Sequence, residues 1–327
     1  MKRREFLKLA GASAAALALP SVVEAADKKD GPVTIWGPPV MPTILLGIAA
    51  RHGELRKTWP FKVKAWTGPD QLRAGLGSGD IQISIVPSYF GANLRNQGQD
   101  VYLLNIMTFG LTYFAGKRPA KGLEDLLGKK VVMPFKNDMP DIVMHILFKH
   151  AGLDISKVDI TYTSTPQEAL MFFLTKKEYE FAHLPEPMVT MATLKGKQLG
   201  VEVVRAISTQ ELWQEVLKTK HPYPQAGLLC TGKFFDENKE RVELLQKDLL
   251  AAVEFAKNNP ASAAEIGSSY LPAPKPALEM AIPYSYLAAT PAYDVQDDIE
   301  LFFKELHEFN PKIVGGKIPD RNLYKKV

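Results

Sequence analysis

One cysteine, Cys230, stands in 327 residues, so no disulfide can form within the chain and an oxidising compartment offers it no covalent staple. A dominant charge is missing as well. The 40 Lys and Arg face 36 Asp and Glu with no basic block, which excludes the electrostatic footprint of a nucleic-acid binder. There is no P-loop and no G-x-S-x-G elbow. The glycine-rich "GLGSG" at 75–79 precedes a strand-like run instead of following one, so it reads as a turn and not as a phosphate cradle. Metal chemistry finds little support: His145 and His150 share a helix but lie about 140° apart around its axis. His183 and Glu186 could approach one ion, yet no third ligand stands near them, and His52, His221 and His307 are isolated. No metal and no cofactor are expected.

No apolar run is long enough to span a bilayer; the nearest approach is N-terminal. "MKRREFLKLAGASAAALALPSVVEAADKKDG" has a charged start, a short alanine-rich apolar stretch, and small residues at a cleavage-site spacing around Val23–Ala26. "RREFLK" resembles the twin-arginine export signal, with Lys2 where serine or threonine is usual. Residues 1–26 are therefore expected to be removed, leaving a periplasmic, non-membrane-spanning protein that folds before export. Without Lys2, Arg3, Arg4, Lys8, Glu5 and Glu24 the balance is 36 basic to 34 acidic, which is close to neutral.

What is present is alternation. "VTIW", "FKVKAW", "IQISIV", "VYLLNIM", "KVVMPF", "VDITYT", "YEFAHL", "VEVVRA" and "AGLLCTG" read as strands, and amphipathic stretches separate most of them. Thr165, Pro166 and Glu168 form a capping box at one helix start. Repeated βα units predict an α/β protein with mostly parallel sheets. Two series of units predict two lobes, the chain entering the second near 113–120 and returning near 218–226. The expected limits are 27–115 and 224–327 for the first lobe and 116–223 for the second. In open α/β sheets ligands sit beyond the carboxyl ends of strands, and such ends occur at "WGPPVMPT", "VPSY", "PFKND" and "LPEP". Glu186, fixed between two prolines, reads either as a solvent-facing turn or as a carboxylate presented to a cleft.

"LGSGDIQISIVPSYFGANLRNQGQDVYLL" and "GLEDLLGKKVVMPFKNDMPDIVMHILFKHAGLDISKVDITYTSTPQEALMFFLTKKEYEFAHLPEPMVT" resemble solute-binding proteins of the nitrate, sulfonate and taurine importer family, which also includes binders of thiamine-pyrimidine precursors and flavin. The resemblance covers roughly 33–235. It implies a type II periplasmic binding protein: two α/β lobes joined by two crossover strands, monomeric, closing on a small molecule and delivering it to an ABC permease and its ATPase. By position it implies first-lobe contacts from Trp36, Gly37, Pro38, Pro39, Met41, Thr43, Ser88 and Tyr89, and second-lobe contacts from Asn137, Asp138 and Glu186. Trp66 and Phe109, also near strand ends, are further candidates for stacking on a flat ligand. Asp138 and Pro140 stand where an anion binder opens its helix amides, which turns the expectation toward an organic ligand, sulfonate- or taurine-like or pyrimidine- or flavin-like. Alternatives are a ligand-loaded partner of a membrane sensor or of a non-ABC transporter, and a pyrimidine-synthesising enzyme on the same scaffold. The chain lacks that enzyme's cysteine-rich iron motif, and no enzymatic activity is expected.

Overall fold

The structure is a computed structural model that describes residues 32–327; the expected export signal lies outside the described residues. Its strands are β1 (Val33–Gly37), β2 (Phe61–Ala65), β3 (Ile83–Pro87), β4 (Val101–Phe109), β5 (Thr112–Gly116), β6 (Lys130–Pro134), β7 (Asp159–Thr163), β8 (Tyr179–Pro185), β9 (Val204–Ser208), β10 (Pro224–Thr231) and β11 (Leu287–Pro291). The helices are α1 (Thr43–His52), α2 (Pro69–Ser78), α3 (Ser88–Asn96), α4 (Met139–His150), α5 (Pro166–Thr175), α6 (Met188–Leu199), α7 (Thr209–Leu217), α8 (Gly232–Asn258), α9 (Pro260–Gly267), α10 (Lys275–Ala281) and α11 (Gln296–Phe309).

Two sheets organise them. The first runs β11-β4-β10-β3-β1-β2 and the second β7-β6-β8-β5-β9. In each, three strands are parallel: β2, β1 and β3 in the first, β7, β6 and β8 in the second. Each also holds one strand that arrives from the other half, β10 and β5, and both pair antiparallel to their neighbours. The sheets are thus more mixed than the expected mostly parallel ones. The reason is directional: a strand entering from the other lobe starts at the interface, whereas the βα units end there. β5 hydrogen bonds wholly within the second sheet, and the ladder breaks at Gly110 (φ 82°) and Leu111 (φ 135°).

Local chemistry explains the element ends. Thr165 accepts from the Glu168 amide at 3.2 Å, and Glu168 reaches back to the Ser164 amide at 3.0 Å, so α5 starts with the expected reciprocal cap. α2 runs through Gly75 and Gly77, and only Gly79, at φ 80°, makes the turn. The long stretch 232–258 is two helices merged across a break at Asn238.

One continuous apolar cluster ties the halves together, and Tyr286 adds a smaller contact on the other side. α1, α8 and α9 cover one face of the first sheet, with Leu45, Leu249 and Ile266 inside. α5 and α6 cover one face of the second, around Phe173 and Val189. On the opposite faces a single cluster passes through both halves, from Phe90 of α3 and Phe302 of α11 to Phe148 of α4, Phe181 of β8 and Trp213 of α7.

Candidate functional site: the groove between the lobes

The crossing segments are fixed by a buried polar network. The Gln210 side-chain oxygen accepts from the Leu111 and Thr112 amides at 3.3 and 3.0 Å, satisfying backbone that the broken ladder leaves free. The Thr112 hydroxyl meets Thr209, Tyr223 and His183 Nε2 at 2.7, 2.9 and 3.0 Å. The strand ends of both sheets therefore meet across a defined joint.

A groove of about 340 Å³ has walls from both halves. Arg73 of α2 and Tyr89, Asn93 and Gln97 of the α3 region form one wall, with Lys312 beyond them. Asn137, Asp138 and Ile142 at the start of α4 form the other. The Tyr89 phenol is pushed up to about 12, first by burial and next by the Asp138 carboxylate, with Arg73 acting against both. Tyr89 and Asp138 thus feel each other across the groove.

The loop carrying Asn137 and Asp138 is unusual backbone. Phe135 and Asn137 are left-handed, at φ 63° and 61°, and Phe135 is 38 % exposed. Asp141 holds this loop: its buried carboxylate accepts from the Asn137 amide at 2.8 Å and from the Tyr162 hydroxyl at 2.9 Å. Asp138 accepts from the Met139 amide at 2.7 Å, and Pro140 has no amide to offer. Two of the protein's own carboxylates therefore occupy amides that an anion would need at this helix start.

The expected contacts separate into two groups. Tyr89, Asn137 and Asp138 line the groove. Trp36 is half-buried, with the Lys64 ammonium 5.5 Å from its ring, and its indole nitrogen is buried without a hydrogen-bond partner. The others are engaged in the fold. Thr43 donates to the Pro38 carbonyl, and a Cβ on Gly37 would strike the Thr43 hydroxyl, so Gly37, Pro38 and Thr43 form a tight corner before α1. Pro39 is exposed on that corner. Met41 is fully buried in the core of the first half because it faces α1's packed side. Trp66 is 9 % exposed, and its indole donates to the Ile85 carbonyl. The Ser88 hydroxyl is spent on the Pro224 carbonyl, tying α3 to β10. Phe109 is buried and stacked on His221, with centroids 5.3 Å apart.

Glu186 does not face solvent at its corner. It is fully buried, and its carboxylate accepts from Arg205 Nε at 2.8 Å and from the Thr190 amide and hydroxyl at 3.1 and 2.8 Å. Burial raises its pKa, while Arg205 and Thr190 pull the other way. His183 turns instead to Thr112. Among the described residues no group of three or more His, Cys, Asp or Glu could hold a metal. Arg73, Lys312, Phe135, Asp141 and Arg205 went unread. Only Asn137, a residue that tolerates left-handed backbone, hinted at the loop.

Two α/β lobes, each with a sheet built around a parallel triad and one strand from its neighbour, with a groove walled by both, define a type II periplasmic-binding-protein fold. The chain is similar to an ABC transporter protein from Parabacteroides distasonis, with a TM-score of 0.77 at 19 % identity over 91 % of this chain and 99 % of that one. It is also similar to the periplasmic aliphatic sulphonate-binding protein SsuA of Escherichia coli, with a TM-score of 0.69 at 16 % identity over 90 % and 92 % of the two chains. For the periplasmic nitrate-binding protein NrtA of Synechocystis the TM-score is 0.62 at 14 % identity, over 89 % and 86 %. No curated protein matches the sequence. The model of the NMT1-like family matches residues 75–269, and the chain belongs to that family.

Proposed function

We propose that the protein is the solute-binding component of an ABC importer, capturing a small organic molecule between its lobes and presenting it to the permease and its ATPase. The observation that carries this is the groove itself, about 340 Å³, walled by residues of both lobes. That volume falls at the lower end of the range for small-molecule pockets, about 300–1,000 Å³. The sulphonate and nitrate binders with this fold support the class. The lobe limits lie at Gly110–Leu111 and in 218–223. Tyr89, Asn137, Asp138 and Arg73 contact the ligand. Because Asp138 takes the Met139 amide, Asp141 takes the Asn137 amide just before α4 and Pro140 has none, the ligand is an organic molecule with donor groups, sulfonate- or taurine-like or pyrimidine- or flavin-like, and not a bare inorganic anion.

Binding without catalysis fits the reactive side chains. The Cys230 thiol is buried and its pKa raised by that burial, and His183 is buried with its pKa lowered to about 3, so neither is poised as nucleophile or base near neutrality. The N-terminal signal directs export to the periplasm by the twin-arginine route. Among the described residues no helix is long and apolar enough to cross a membrane.

A thermal-shift panel of nitrate, sulfate, taurine, alkanesulfonates, aminopyrimidines and flavin tests this reading. A true ligand at 100 times its Kd adds about 2.7 kcal/mol of stability. Stabilisation by an organic compound is expected; stabilisation by nitrate or sulfate alone would overturn the ligand class.

A further inference from the structure

The two edges of the interlobe surface are joined differently. Along one, α11 reaches across to α4: Lys149 donates to Glu308 at 2.8 Å, and His150 Nε2 lies 2.9 Å from Glu305. Behind these pairs Phe302 packs on Trp213 and Tyr223, with centroids 5.6 and 5.9 Å apart. This edge shares a continuous apolar cluster and runs beside the crossing segments, so it is the pivot.

The opposite edge is thin. It is formed by α6 against α10 and by Tyr284, which ends the 3-10 turn Ile282–Tyr284 before β11. The Tyr284 ring lies 3.6 Å from the Arg205 guanidinium carbon, and its carbonyl accepts from the Tyr113 hydroxyl at 2.8 Å. Tyr284 belongs to the first lobe, Arg205 and Tyr113 to the second. The ring is still 42 % exposed, so little besides these contacts keeps it in place. The guanidinium is rigid because Glu186 holds Nε at 2.8 Å and Thr190 holds Nη2 at 2.6 Å. A fixed flat cation facing an aromatic ring across a thin edge is a contact that opening must break.

We propose that Arg205 and Tyr284 form a latch that sets the open–closed equilibrium of the groove, with Glu186 as the residue that positions the guanidinium. This gives the "LPEP" corner its purpose: the carboxylate is turned inward to aim a cation at the other lobe. The latch rests on the two-lobe binding reading but operates without ligand, so it can be measured separately from binding.

The test is a distance distribution between spin labels at R56C and K177C, exposed positions on the first and second lobes. Cys230 is buried and stays unlabelled. The Tyr284→Ala variant removes the ring but keeps the backbone carbonyl, and its site is exposed enough to leave folding intact. Its open-to-closed ratio should rise by about fivefold or more, as loss of one cation–π contact requires. Tyr284→Phe keeps the ring and should match the parent. Identical distributions in the parent and in Tyr284→Ala, or a shift in Tyr284→Phe equal to that in Tyr284→Ala, would overturn the latch. Failure of every compound in the ligand panel would overturn the binding reading and leave this result standing.

Discussion

His183 sits on β8 with its ring stacked on Phe114, centroids 4.5 Å apart, and no exposed surface. Nε2 meets the Thr112 hydroxyl, and Nδ1 is buried without a partner. Nothing nearby rewards a proton, and burial alone lowers the pKa from 6.5 to about 3. The unfolded chain takes up that proton below pH 6.5 while the folded chain refuses it. The stability is complete above the unfolded pKa and is lost as pH falls toward the folded one. Linkage gives a loss of about 2 kcal/mol by pH 5 and about 4 kcal/mol by pH 3. Glu186 runs in the opposite sense: its raised pKa costs stability as pH rises above 4.5, so the total slope mixes the two. The comparison that isolates the imidazole is His183→Gln, which keeps a polar group for Thr112 and cannot titrate. Urea unfolding at pH 7.5, 6 and 5 should show the parent losing about 2 kcal/mol more than the variant over that interval. Parallel pH profiles would refute the reasoning.

Other outcomes follow from the same geometry. Arg205→Met leaves the Glu186 carboxylate buried without its cation and should cost about 3–5 kcal/mol by urea unfolding at pH 7.5; a loss under 1 kcal/mol would show that Glu186 escapes to water. Phe302→Ala empties the aromatic cluster at the pivot and should cost about 3–5 kcal/mol, whereas a near-neutral result would mean that α11 is not packed there. Asp138→Ala, exposed at the groove, should leave the melting temperature of the unliganded protein within about 2 °C, its cap being worth about 1 kcal/mol at most. The same change should weaken the best panel ligand by about tenfold or more in calorimetry, as loss of one charge-assisted hydrogen bond does; unchanged affinity would remove Asp138 from the site.

The fold was legible because its signals are local. Strand–helix alternation, the Thr165 cap and the glycine and proline stops each lie within a few residues of what they control. The ladder break at Gly110–Leu111 was hidden because "TFGLTYFAG" carries no charge and the break changes no hydrophobic pattern. In the site, sequence reasoning found positions at strand ends but not which way they face. Met41, Trp66 and Phe109 stand at such ends and turn into the core. Glu186 was conspicuous, but its partner Arg205 lies on β9, 19 residues on, where no motif marks it. Arg73 and Lys312 reach one groove from the two ends of the chain, and only the folded sheet order unites them.

Ligand-dependent compaction tests the central claim most directly. X-ray scattering should be recorded on the protein alone and with whichever panel compound raises its melting temperature. A lower radius of gyration in the parent, lost in the Asp138→Ala variant at the same concentration, is the predicted result. A stabilising compound that leaves the scattering unchanged and binds the Asp138→Ala variant equally well would contradict it.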